Sequence, residues 1–383
     1  MEHVIGPLIA ADEQFCHQVT ETFANTGSTD PSWTEKVCAM AAARDGSIQL
    51  GFGLGKYTNR NVMDAYAGVS RGVEQVTVRA SRRLDPEPEL TVIGPIRYEI
   101  VEPLRAVRFV LEPNDVQPIA FDWLFEGVLP CRTEDRTHQR TGYRVSADLV
   151  RFHQIGLCSG WLEIDGERHV MDHDGWVSTR DHSWGVRYDV GVEPTDLQPR
   201  AAVPGGFHFA WSPLLMESTD GTPYGIFLNF SLVHAPGFAS RSVMGGIEQV
   251  DGRFERFVDV EPDLHYDPRN RRLRGGSVNV TLEGGSTRRF DVEVVSDTGF
   301  HLGTGKYFGF DGRHHGEWMG DLALDGEWIT DCSEPTTARR VHQIRDTVVR
   351  ITDSAGGTGY GNWQPIVFGE FPDLGLDADS SFM

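Results

Sequence analysis

Seven Asp-Gly dipeptides, at residues 45, 165, 174, 220, 251, 311 and 325, constrain this chain more than any other feature. Asp-Gly between alternating apolar runs marks a tight hairpin, because a type I′ turn needs positive φ at both central residues. Trp161-Leu162-Glu163-Ile164 and Glu167-Arg168-His169-Val170 flank one such dipeptide. Val278, Val280 and Leu282 alternate with Asn279, Thr281 and Glu283, and after Gly284-Gly285 the alternation resumes at Phe290, Val292 and Val294. This is the pattern of half-buried antiparallel strands. Helix is scarce. Phe15, Val19 and Phe23 share one face at i, i+4, i+8 and predict one short helix over residues 11–25. The chain is expected to be all-β, built as sandwiches or barrels.

At 383 residues there is enough chain for two domains and a large core. Pro194–Pro204 is the best linker, which predicts domains over 1–195 and 196–383. Gly53-Leu54-Gly55-Lys56-Tyr57 and Gly303-Thr304-Gly305-Lys306-Tyr307 look like an internal echo, though at different offsets from the two domain starts. The acidic tail after Phe371 reads as poorly packed.

Charge excludes several function classes. The net charge of −21 repels phosphate backbones and anionic lipid, so neither nucleic acid nor membrane insertion is expected. No apolar run approaches the roughly 18 residues of a spanning helix. Met1-Glu2-His3 opens without a basic n-region, and the five scattered cysteines form no CxxC pair. A cytoplasmic protein with reduced thiols is the expectation.

Chemistry concentrates in Ser178–Arg187, where ten residues hold a carboxyl, an imidazole, an indole and two guanidiniums. Strand alternation sends Asp181, Ser183 and Gly185 to one side, and His182, Trp184 and Val186 to the other. Asp181 and His182 could meet at one cavity only if a bulge near Gly185 intervened. The competing account is structural, with Arg180 or Arg187 paired to Asp181.

Asp181-His182-Ser183-Trp184-Gly185 resembles the Asp-His-x-Trp-Gly signature of the carotenoid 1,2-hydratase-like family and its lipocalin-like relatives. Trp33-Thr34-Glu35-Lys36 and Gly55-Lys56-Tyr57-Thr58-Asn59-Arg60-Asn61 look like actinobacterial members of unknown function. The resemblance implies two lipocalin-like β-barrels in tandem. It also implies chemistry on hydrophobic molecules, as in the family's hydratases and its Diels–Alderase relatives. Hydratases of the family often carry Tyr two residues before the Asp, where this chain has Thr179.

Other clusters are weaker. His314-His315-Gly316-Glu317-Trp318 offers Glu317 as an acid or base and Trp318 as a cavity wall. A glycosidase reading would need Asp181 and Glu317 across one cleft. His169, His173 and His182 could suggest a metal, but they need not share a face, and no metal is expected. There is no G-x-S-x-G elbow for a hydrolase. Phe207, Phe209 and Trp211 share one strand face, as do Phe121, Trp123 and Phe125. Either face could pack a core or line a cavity.

The expected function is that of an enzyme acting on a bulky isoprenoid, polyketide or sterol-like molecule. The reaction would be an acid-promoted hydration, dehydration, isomerisation or cyclisation, and no cofactor is implied. Asp181, His182 and Glu317 are the candidate catalytic residues. Trp184, Arg187, Trp123, Phe209, Trp211, Trp318 and Tyr57 are the candidate substrate contacts. A non-catalytic carrier, or a pericyclase working by shape, would need the cavity but not the acid.

Overall fold

The computed structural model describes residues 8–198 and 205–382. It is all-β, and its one α-helix among the described residues is Pro335–Arg340. The second half forms a closed eight-stranded antiparallel barrel running from Gly206–Glu217 to Thr358–Phe368. The first half forms a large antiparallel sheet curled into a ring. Its ladder runs from Glu74–Arg83 through Val62–Arg71, Gln49–Tyr57, Trp33–Ala43, Trp176–Val186, Arg144–Ile164 and Ile119–Gly127 to Ala106–Leu111 and beyond. One strand of the second half, Leu322–Ile329, leaves its neighbours and pairs with Glu74–Arg83 at the end of this ladder. The ring closes by packing: a Cβ on Gly94 would lie 2.7 Å from Leu324. The hairpin pattern predicts an all-β chain and the family resemblance a tandem double barrel, and this is the architecture found. The linker read at Pro194–Pro204 lies partly outside the described residues.

The interior of the first barrel is solid. Phe52, Phe109, Phe121, Trp123 and Phe125 are all fully buried there. The Phe109 ring lies tilted against Trp123 at 4.8 Å and against Phe52 at 4.9 Å. Trp123 was expected to contact substrate. It is instead a filler of the apolar core, because alternation points the whole Phe121-Trp123-Phe125 face inward.

Two further expectations fail. Residues 11–25 hold only the 3-10 turn Ala10–Glu13 and then irregular chain. Phe15 and Val19 stay exposed, so the stripe has nothing to bury against and a helix lacks its stabilising face. The tail after Phe371 is packed: Leu376 is buried, and the buried Arg271 donates to Ser380 Oγ at 3.1 Å and to the carbonyls of Gly369 and Asp377. A buried guanidinium needs its donors satisfied, and the tail supplies acceptors.

Candidate active site between the two barrels

The strand Trp176–Val186 runs regularly, so its signature residues divide between two faces. Val37 lies opposite His182 in the ladder, and Cys38 opposite Asp181. Val37 belongs to the first-barrel core, so His182 shares that side. At the barrel mouth His182 Nε2 sits 2.9 Å from Glu35 Oε1, and its ring lies 5.8 Å from Trp184. Asp181 points the other way, onto the face that the second barrel covers. On that face Thr179 Oγ1 donates to Asn362 Oδ1 at 2.6 Å, and Val177 packs with Ala42 and Val348. No bulge brings His182 to Asp181. Gly185 has φ +132 and lies so close to the next strand that a Cβ there would stand 2.1 Å from the carbonyl oxygen of Asp148, which only glycine allows.

The second half supplies the other wall. After Thr287–His301 the chain turns through Leu302–Gly305 and crosses the first sheet before entering it at Leu322–Ile329. Gly191 N donates to His315 O at 2.7 Å, and Gly316 N to Asp64 Oδ2 at 2.8 Å, which pins the crossing. It delivers Lys306, Tyr307, Phe308 and His315 against Trp33–Ala43 and Val62–Arg71.

These residues build a buried acid–base file. Lys36 Nζ lies 3.0 Å from His315 Nε2 and 4.2 Å from the centre of the Tyr307 ring. Burial pushes the Lys36 ammonium down to about 8 and the His315 imidazolium down to about 3. His315 is therefore neutral, and its Nε2 accepts from Lys36. Its Nδ1 faces Asp64 Oδ1 at 3.8 Å. Asp64 also accepts from Tyr57 Oη at 3.0 Å and lies 3.7 Å from Lys306 Nζ. Burial acts to raise Asp64, but Lys306, His315 and Lys36 outweigh it and hold the carboxyl below its usual range. Cys38 Sγ is 3.1 Å from Tyr307 Oη, and burial raises its thiol, so it is no thiolate.

Asp181 stands apart from this file. It is enclosed by protein, yet 15% of its side chain remains accessible, so the carboxyl borders open space. Its nearest charged partner is Arg151 Nε at 4.0 Å, and among the described residues no donor hydrogen-bonds to it. Burial raises its pKa, and Arg151, Arg187 and Lys36 only partly oppose this. The Arg151 side also carries a clamp between the halves. His153 Nε2 is 2.8 Å from Glu248 Oε1 of the closed barrel, and Nδ1 is 3.3 Å from Glu134 Oε1. Trp211 Nε1 donates to Glu134 at 3.0 Å. Burial opposes the His153 charge, but the two glutamates prevail and raise it to about 9.

A run of half-buried rings continues from Tyr307. Phe308 lies 6.1 Å from Phe382, which lies 6.2 Å from Phe368. Phe368 is 5.1 Å from Phe207, and Phe207 is 6.2 Å from Phe209. Contiguous half-exposed aromatic surface of this kind suits an apolar ligand.

The structure thus sets Asp181 and Tyr57 within the field of Arg187, and places Trp211 on the face of the closed barrel that meets the first half, with Phe209 on the same strand face. It separates the others. Trp184 and His182 sit at the first-barrel mouth. Glu317 accepts from His314 N at 3.2 Å and closes a turn, and Trp318 is 53% exposed, so it walls no cavity. His169 and His173 occupy other places again, beside Glu167 and Glu126. A cleft of about 580 Å³ opens at Arg44, Asp45, Ser47, Arg168 and His169, and none of the buried acid–base groups lines it. Sequence reasoning missed Lys36, Cys38, Asp64, Tyr307 and His315 as one constellation.

The profile of a Family of unknown function (DUF8625) matches residues 8–377. No curated protein matches the chain. Among solved structures, an AttH assignment from Nitrosomonas europaea superposes with TM-score 0.50 at 11% identity, covering 87% of this chain and 92% of that one. Kievitone hydratase from Nectria haematococca gives TM-score 0.43 at 11% identity, covering 91% and 92%. CghA gives TM-score 0.42 at 11% identity, covering 91% and 89%. At such identity the likeness is one of fold, and at that level the resemblance drawn from Asp181–Gly185 holds. By the match over nearly its whole length, the chain belongs to the family of unknown function DUF8625.

Proposed function

We propose that the chain is an enzyme that binds a bulky hydrophobic small molecule between its barrels and catalyses an acid-promoted reaction. Hydration, dehydration, isomerisation and cyclisation share the required first step, delivery of a proton to a carbon–carbon double bond or a leaving group. The observation that carries the reading is Asp181. A carboxyl with no hydrogen-bond donor, raised by burial and bordering open space, retains its proton at higher pH than a solvated one. Tyr307 presents an aromatic ring on the same pocket, where cationic charge would develop. His182 has no part in this reading, because it faces the other way.

Asp181→Asn keeps the shape and removes the transferable proton. Turnover of whichever isoprenoid, polyketide or sterol-like alkene proves to be a substrate should fall by roughly 10²-fold or more. Affinity should stay within about twofold, since uniform contacts survive. The melting curve, a binding titration and the rate are measured on one preparation. Near-normal turnover would remove the proton-donor role and favour a carrier or a shape-driven catalyst.

A further inference from the structure

Arg187 follows directly on Trp176–Val186 and is half-buried. Its backbone N–H bonds to Ser32 O, but among the described residues its guanidinium has neither a hydrogen bond nor an ion pair. Half-buried guanidiniums are ordinarily paired, because five donors taken from water need acceptors. This one stands among Lys36, Cys38, Tyr57, Asp181 and Tyr307, and its charge is felt by each of them. The carboxyls around these cations are engaged elsewhere or held toward their neutral forms: Asp189, which feels both Lys36 and Arg187, is raised by burial and accepts from Phe308 N. Arg151 is balanced by Glu134 at 3.5 Å, and Lys306 by Asp64. Lys36 bonds only to a neutral imidazole. Asp181, held toward its neutral form, balances neither Lys36 nor Arg187.

We propose that Arg187, with Lys36 beside it, holds the carboxylate head of an amphipathic substrate whose apolar body lies along the rings from Tyr307 to Phe209. The proposal rests on the apolar-ligand reading above and narrows it to a hydrophobic acid. A planar guanidinium with free donors matches a carboxylate in a bidentate fork. A single negative charge matches the one guanidinium without an ion pair. The chain as a whole, at −21, repels anions, so a carboxylate is retained only where an unpaired cation stands. Bound this way, the head is fixed at Arg187 and the double bond of the body lies beside Asp181.

The test uses cis-parinaric acid and its methyl ester, two fluorescent probes that differ only in the charge of the head. The acid should bind the wild-type protein at least tenfold more tightly than the ester. In Arg187→Met that preference should vanish while ester affinity stays within twofold, and Arg187→Lys should keep part of it. Equal binding of acid and ester by the wild type, or a preference that persists in Arg187→Met, overturns the carboxylate assignment and leaves the apolar cleft standing. Failure of both probes to bind overturns the cleft and the assignment together. The wild-type comparison decides the matter even if Arg187→Met does not fold.

Discussion

Trp123→Ala should lower the unfolding free energy by about 3–5 kcal/mol. The indole is fully buried at the centre of the first barrel, within 4.8 Å of Phe109 and 5.6 Å of Phe121. Its strand, Ile119–Gly127, is paired on both sides, so the walls have little freedom to collapse into the hole. Trp123 Nε1 is also buried without a hydrogen-bond partner among the described residues. Trp123→Phe removes that orphaned donor along with part of the volume, so the two effects offset. It should cost less than half as much as Trp123→Ala. Urea denaturation of the three proteins checks both statements. A loss below about 1 kcal/mol for Trp123→Ala would mean that the barrel interior is not solid.

The second large effect is expected at His153. The imidazolium is fully buried between Glu134 and Glu248 and stacks 3.8 Å from Phe227. His153→Gln removes the central charge and leaves two buried carboxylates facing each other, a change that should cost about 3–5 kcal/mol near pH 6. The wild type should show its own signature. A histidine raised from 6.5 to about 9 contributes stability that is complete below 6.5 and fades as pH rises through 9. The loss over that window should be on the order of 3 kcal/mol, since each tenfold gain in proton affinity is worth about 1.4 kcal/mol. Denaturation at pH 6 and pH 9.5 should therefore show the gap between wild type and His153→Gln shrinking at the higher pH. A gap that stays constant would mean that the histidine is neutral and the clamp an ordinary hydrogen-bonded contact.

The fold was legible because turn chemistry is local. Asp45-Gly46, Asp165-Gly166, Asp220-Gly221 and Asp251-Gly252 all lie between consecutive antiparallel strands, whereas Asp174-Gly175 only interrupts two strands that run the same way along Arg144–Ile164. Asp325-Gly326 misleads: it lies within a strand, where a Cβ on Gly326 would crowd Thr77 O and Val116. Glycine there serves close approach, and a dipeptide cannot distinguish that from a turn. Alternation likewise separated Asp181 from His182 correctly. The acid–base file was not legible, because Lys306, Tyr307 and His315 reach Lys36, Cys38 and Asp64 from a crossing segment far along the chain. A signal was nevertheless present. Trp33–Ala43 carries apolar residues on both faces, so a strand buried on both sides was readable, and Lys36 within it had to be a buried lysine. Asp64, in Val62-Met63-Asp64-Ala65-Tyr66-Ala67, is the same kind of exception.

The strand Leu322–Ile329 also bears on how the protein is made. The ribosome emits the strand that covers the free edge of Glu74–Arg83 only after the long stretch of chain between Arg83 and Leu322. At roughly 5–20 residues per second the nascent chain waits on the order of ten seconds or longer with that edge open. The edge carries Val76 and Val78, the kind of surface on which β-chains aggregate. Folding of the first barrel therefore cannot finish until Leu322–Ile329 has left the ribosome. Chaperone cover is needed most in that interval, and any truncation upstream of residue 322 leaves the edge permanently unsealed.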